Sequence, residues 1–153
     1  MLLTLVIEFF VALLATDAFC VIFNVPKKEW FFSGLIGAVG WVFYRGFSQN
    51  QGIVIATFIA VMAVTLLARI FAVVRKAPVT IFLVPGIFPL VPGVGIYYTS
   101  YYFIISEFSM ASAKGVETLK VAVAITLGIM CMLLIPQRFF QVLVSVGKRK
   151  LKK

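Results

Sequence analysis

Five apolar runs follow one another along the chain, most of them near the roughly 20 residues needed to cross a bilayer. They cover residues 2–24, 30–44, 53–74, 78–105 and 118–135. The first stops at Asn24-Val25-Pro26-Lys27-Lys28, and the second at a polar turn over 45–52. The third closes on Arg75-Lys76, and the fourth opens at Pro78, a favoured first-turn residue. After Pro136 a further apolar stretch, 139–146, either prolongs the fifth run past a kink or lies in the interface. No Lys or Arg precedes the first run and no small-residue cleavage pattern ends it, so it reads as a retained helix. The pattern predicts a single all-α integral membrane domain over 1–153 with about five transmembrane helices.

Composition agrees, with 63% hydrophobic and 12% charged residues, where a soluble domain carries about 25% charged. The net charge of +9 is unevenly spread. Eleven of the fourteen basic residues, Lys27, Lys28, Arg69, Arg75, Lys76 and six in the tail 138–153, fall on one side of the predicted membrane. Arg45, Lys114 and Lys120 fall on the other. The positive-inside rule then places the N-terminus outside and the C-terminus in the cytoplasm. A basic tail after an apolar run fits anionic lipid headgroups, and no nucleic-acid partner is expected. The chain has no histidine, which removes the commonest general base and most zinc sites. Cys20 and Cys131 lie inside apolar runs as small hydrophobes. No cofactor and no metal are expected.

Ser33/Gly37 and Gly34/Ala38 are spaced four apart in the second run, with Gly40 close by. Small residues at this spacing let helices approach closely; a glycine-lined solute path is the alternative. The fourth run carries Pro85, Gly86, Pro89, Pro92, Gly93 and Gly95. Three prolines cannot share one regular helix, since each interior proline costs about 3 kcal/mol. The expected result is a half-helix, an irregular link at the midplane and a second half-helix. Irregular backbone at that depth survives only against protein or a watery cavity. Many secondary transporters build their solute sites this way. Freed carbonyls would then serve polar groups or a cation, and amides near Gly93 a carboxylate. Tyr97, Ser100 and Tyr101 share a helical face just beyond the break and are candidate solute contacts. Tyr98 and Tyr102 fit an interfacial belt as well as a site.

Glu8, Asp17 and Arg69 lie within predicted spans, where ionisable groups are costly. Glu8 is near enough to the outer end for a plain interfacial position. Asp17 and Arg69 lie at matching depths in the first and third runs, so a pair between them is expected, whether structural or functional.

Phe23-Asn24-Val25-Pro26 and the stretch Val84-Pro85-Gly86-Ile87-Phe88-Pro89-Leu90-Val91-Pro92-Gly93 together resemble the small subunit of the threonine/serine exporter family. The similarity covers nearly the whole chain. It implies one half of a ten-span secondary transporter of the bacterial cytoplasmic membrane. The implied partner is a larger five-span subunit with a soluble N-terminal domain. The implied activity is proton-motive-force-driven export of a small-molecule substrate: threonine, serine or, in some members, dicarboxylates. Only 23–26 and 84–93 carry over residue by residue. A structural or regulatory subunit and a passive channel are the alternatives. A membrane enzyme is disfavoured by five scattered acids and no histidine.

Overall fold

Each apolar run becomes a helix because a backbone in lipid must satisfy its own hydrogen bonds. The computed structural model describes residues 2–140; most of the basic tail expected over 138–153, and of the 139–146 stretch, lies outside the described residues. The helices are α1 (Leu2–Ile22), α2 (Trp30–Gln51), α3 (Ile53–Arg75), α4 (Val79–Ile87), α5 (Gly93–Ile104) and α6 (Phe108–Leu133). One-turn 3-10 helices at Lys27–Glu29 and Phe88–Leu90 lead into α2 and follow α4. Three segments, Leu3–Ile22, Ile53–Arg75 and Phe108–Leu133, are each long and apolar enough to cross a membrane. Val79–Leu90 and Gly93–Ile104, bent by 50° against each other, make a fourth when taken together. The chain is therefore an all-helical membrane protein.

Three helix ends use one device. Asn24, Lys76 and Ser106 adopt left-handed φ values of 53°, 54° and 63°. The amide just after each returns to a carbonyl five residues back: Val25 to Cys20 (2.9 Å), Ala77 to Ala72 (3.1 Å) and Glu107 to Tyr102 (2.9 Å). This closes the orphan carbonyls of the last turn. Pro26 and Pro78 then bar any continuation of α1 and α3.

Two boundaries differ from the sequence expectation. Residues 45–51 are the last turns of α2 and not a polar turn, because nothing breaks the helix before Gly52, whose φ is +80°. Polarity had ended the apolar run without ending the helix. Likewise α6 starts at Phe108, ten residues ahead of Thr118. Its first turns are polar but helix-compatible, and Lys114 and Glu117 pair along them at 2.9 Å.

The core lies between α2, α3 and α4, where Ile36, Val61, Val64, Phe82, Leu83 and Leu90 form one buried cluster. Glycines decide how close α2 comes. A Cβ at Gly37 would overlap the Thr16 hydroxyl of α1, and one at Gly40 would overlap Val64 of α3. Gly86 of α4 fits against Ile36 and Val64, whose methyls would stand 3.1 and 3.3 Å from an added Cβ. The end of α4 thus sits level with the middle of α2 and α3. On the other side of α3, Gly128 lets α6 in, with Val61 and the Phe58 carbonyl 3.0 and 3.1 Å from its notional Cβ.

Ion pairs hold α2 at both ends. Arg45 Nε donates to Glu8 Oε2 at 2.8 Å, and Trp41 Nε1 donates to the same oxygen at 3.1 Å. At the other end the buried Glu29 accepts from Arg75 Nε and Nη2 at 2.9 and 3.1 Å, and the guanidinium covers the Phe32 ring. Two distinct interfaces are therefore pinned, α1–α2 by the first pair and α2–α3 by the second.

Gly37→Val should destabilise the purified protein by about 1–3 kcal/mol through overpacking against Thr16. Gly46→Ala, with no atom within 4 Å of its added Cβ, should melt like the parent. Thermal unfolding in detergent compares the two, and equal melting of Gly37→Val and parent would refute the tight α1–α2 contact.

Candidate functional site

Pro85, Pro89 and Pro92 each remove an amide donor, and the chain supplies a substitute for every carbonyl affected. Ile81 O, deprived by Pro85, accepts from Ser33 Oγ of α2 at 3.3 Å. Pro85 O accepts from the Phe88 amide, and Phe88 O from the Val91 amide at 3.1 Å. The carbonyls at these positions are therefore engaged within the protein and are not left over for a solute. Pro85 and Gly86 are buried in the core and act there in packing.

The amide side is different. Helix α5 begins at Gly93 after Pro92 with no side-chain cap. The Gly93 amide turns back to Val91 O at 2.8 Å, and the Ile96 amide bonds Pro92 O at 3.0 Å. The first-turn amides of Val94 and Gly95 have no acceptor among the described residues. Such amides and the helix dipole favour an anion.

Val94 and Gly95 line a cavity of about 490 Å³. Tyr44 of α2 and Ile53 of α3 form one side of it; Tyr98 and Tyr102 of α5 and Lys114, Glu117 and Thr118 of α6 form the other. A smaller cavity of about 210 Å³ shares Tyr44, Ile53, Pro92 and Val94 and extends to Pro89 and Gly93. The larger one combines a cation, a carboxylate, four hydroxyl side chains and the first-turn residues Val94 and Gly95 around a space of small-solute size. By contrast, a groove of about 440 Å³ between α3 and α6 is apolar apart from Lys120 and has nothing to orient a polar solute.

The expected site residues thus separate. Pro89, Pro92, Gly93 and Gly95 line the cavities. Tyr97 and Tyr101 stack on each other on the exposed outer face of α5, their ring centroids 6.3 Å apart. Ser100, also exposed, donates to Ile96 O of its own helix at 3.1 Å. The tyrosines at the cavity are Tyr98 and Tyr102. The reason is the contact between α5 and α6: Gly95 abuts Thr118, and Gly115 abuts Thr99. Tyr98 and Tyr102 lie three and seven residues from Gly95 and border the cavity beside this contact, Tyr102 half-buried and Tyr98 still exposed. Gly95 followed at those intervals by hydroxyl side chains was the sequence signal that could have found them.

Asp17 and Arg69 are not brought together. Helix α1 packs on α2 and α4, so its Asp17 lies against Gly34 of α2. Arg69 is buried on the α6 side of α3, where Nη1 donates to Met132 O and the guanidinium lies 4.5 Å from the Phe140 ring centroid. Matching depth was a sound criterion applied to non-neighbouring helices. Applied to consecutive ones, it selects Glu8 with Arg45 and Glu29 with Arg75, which do pair.

A bundle of membrane helices, with a bent helix pair beside a largely apolar cavity that carries a few polar groups, defines a multi-pass membrane protein suited to carrying small solutes. Residues 8–135 match the family described as Threonine/Serine exporter, ThrE, and the chain belongs to that family. It is a transporter of the threonine/serine exporter type, a class that moves solutes and does not transform them. The match spans both motif stretches, 23–26 and 84–93. Comparison with curated proteins and with solved structures gives no match.

A Cβ at Gly95 would collide with the Thr118 hydroxyl, whereas one at Gly93 would meet nothing within 4 Å. Gly95→Val should force α5 from α6 and cost about 1–3 kcal/mol, while Gly93→Ala should melt with the parent. Detergent melting curves check the pair; a parent-like Gly95→Val would show that α5 does not rest on Thr118.

Proposed function

We propose that this chain is one half of a two-chain secondary exporter for small carboxylate-bearing solutes, threonine and serine or dicarboxylates, driven by the proton motive force. The observation that carries the reading is the uncapped α5 N-terminus at a cavity that also holds Lys114. A solute carboxylate is placed there, its charge met by the Val94 and Gly95 amides and the Lys114 ammonium. Glu117 suits an amino group, and Tyr98, Tyr102 and Thr118 suit hydroxyls.

The reading takes five spans: α1, α2, α3, the bent α4–α5 pair and α6. Helix α2 is apolar through its first half, where α1, α3 and α4 pack on it, and its exposed polar end from Gly46 to Gln51 would reach the headgroup layer. The bacterial cytoplasmic membrane is the proposed location, with the N-terminus outside and the C-terminus inside, in keeping with the charge distribution. The cavity, near the α2–α3 turn, then opens toward the outside, as the exit of an export path would. The proposed partner is a larger five-span subunit with a soluble N-terminal domain. The outer face of α5, with Tyr97, Tyr101 and Ile104 exposed, is available to lipid or to that subunit. A structural subunit is the competing reading, favoured by the internal satisfaction of the carbonyls at the break.

Efflux of labelled threonine, serine and succinate from cells lacking endogenous exporters tests the proposal. Export should require both chains and stop when a protonophore collapses the gradient. In the paired system Lys114→Gln should raise the apparent KM with little change in maximal rate. Export from this chain alone would overturn the two-chain arrangement, and an unaltered KM in Lys114→Gln would move the carboxylate elsewhere.

A further inference from the structure

Asp17 is an ionisable side chain inside α1 that lies apart from the solute cavity. Its Oδ1 is buried without a hydrogen-bond partner among the described residues. A Cβ at Gly34 would stand 2.5 Å from that oxygen and 3.0 Å from the carboxyl carbon, so glycine in α2 makes room for the carboxyl. Neighbouring hydroxyls are engaged elsewhere: Thr16 Oγ1 donates to Ala12 O at 2.8 Å, and Ser33 Oγ to Ile81 O at 3.3 Å.

No counter-charge reaches it among the described residues. The three ion pairs join Glu8 with Arg45, Glu29 with Arg75 and Lys114 with Glu117. The elements packed on α1 are α2, α4 and the turn Phe88–Leu90. Helix α4 and that turn contain no titratable residue. The titratable side chains of α2, Tyr44 and Arg45, are ten or more residues beyond Gly34, and Arg45 is held by Glu8. On its own helix Cys20 follows one turn later and Glu8 lies nine residues back. A bare carboxylate in such a place has neither cation nor donor at Oδ1, and burying it costs far more than burying the neutral acid.

We propose that Asp17, packed against Gly34 at the α1–α2 interface, is the proton-binding site of the transporter. The carboxylate takes a proton from water on one side of the membrane, and the neutral acid allows α1 to close on α2 as seen here. When the two helices part, the acid returns its proton to water on the other side. Helix packing and protonation are thereby linked at one contact. The transport role rests on the proton-driven reading given above; the binding of a proton does not.

The test uses the two-chain complex in membrane vesicles. Dicyclohexylcarbodiimide, which reacts with protonated carboxyl groups in apolar surroundings, should modify Asp17 of the unaltered chain, as read by peptide mass. Modification should fall as the medium is made alkaline. In transport, Asp17→Asn should lose gradient-driven export while keeping solute exchange at equal concentrations. An unmodified Asp17 at every pH would overturn the proposal, whatever the variant does. Full gradient-driven export by Asp17→Asn would also overturn it, leaving the exporter reading in place. If instead the unaltered complex exports no solute, that reading fails, and the labelling alone decides whether Asp17 binds a proton.

Discussion

At Gly34, Gly37 and Gly40 the backbone of α2 runs so close to α1 and α3 that even a methyl group would overlap a neighbour. Lipid tails are as apolar as leucine, so helices in a membrane are held by fit and not by exclusion from water. The close fit along α2 therefore sets the positions of α1 and α3 together. It creates the slot in which Phe82, Leu83 and Gly86 of α4 are seated, and the Ser33 hydroxyl that reaches Ile81 O. The pairs Glu8–Arg45 and Glu29–Arg75 fix the two ends of the same helix, so that α2 resists both tilt and slide.

From that seat the rest of the bent pair follows. Helix α4 is anchored in the core, whereas α5 has no buried residue and packs chiefly on α6. The turn between them has its affected carbonyls satisfied and leaves two amides open. The break thus has a polarity: closed on the side that packs, available on the side that meets the cavity. Phe88 in the turn also packs on Phe19 and Phe23, with ring centroids 3.9 and 5.4 Å apart. The two motif stretches, far apart in sequence, meet in space there, which ties the end of α1 to the break.

Much of the fold was legible in the sequence because lipid makes apolarity and helix nearly synonymous. The helix stops were legible too, since Asn24 and the prolines at 26 and 78 act locally. The C-terminal end of α2 and the start of α6 were not, because a polar stretch such as Ser48 to Gln51 halts an apolar run without halting hydrogen bonding. At the site, the prolines and glycines fall where α4 and α5 bend by 50° against each other, and Pro89, Pro92, Gly93 and Gly95 lie at the cavities. Which tyrosines border the cavity depended on how α5 rotates against α6, where Gly95 meets Thr118. Charge pairing likewise needed helix adjacency, which depth alone does not give, as Asp17 and Arg69 illustrate.

The central claim is that solute occupies the space at the start of α5, and neighbouring tyrosines offer the sharpest contrast. Tyr102 lines the cavity, while Tyr101 is on the exposed outer face. With Cys20 and Cys131 replaced by serine, Tyr102→Cys in the two-chain complex should react with a water-soluble maleimide. Threonine, serine or whichever carboxylate the complex exports should slow that reaction and leave Tyr101→Cys unaffected. Equal rates at Tyr102→Cys with and without saturating exported solute would contradict the account and place the solute site in the partner.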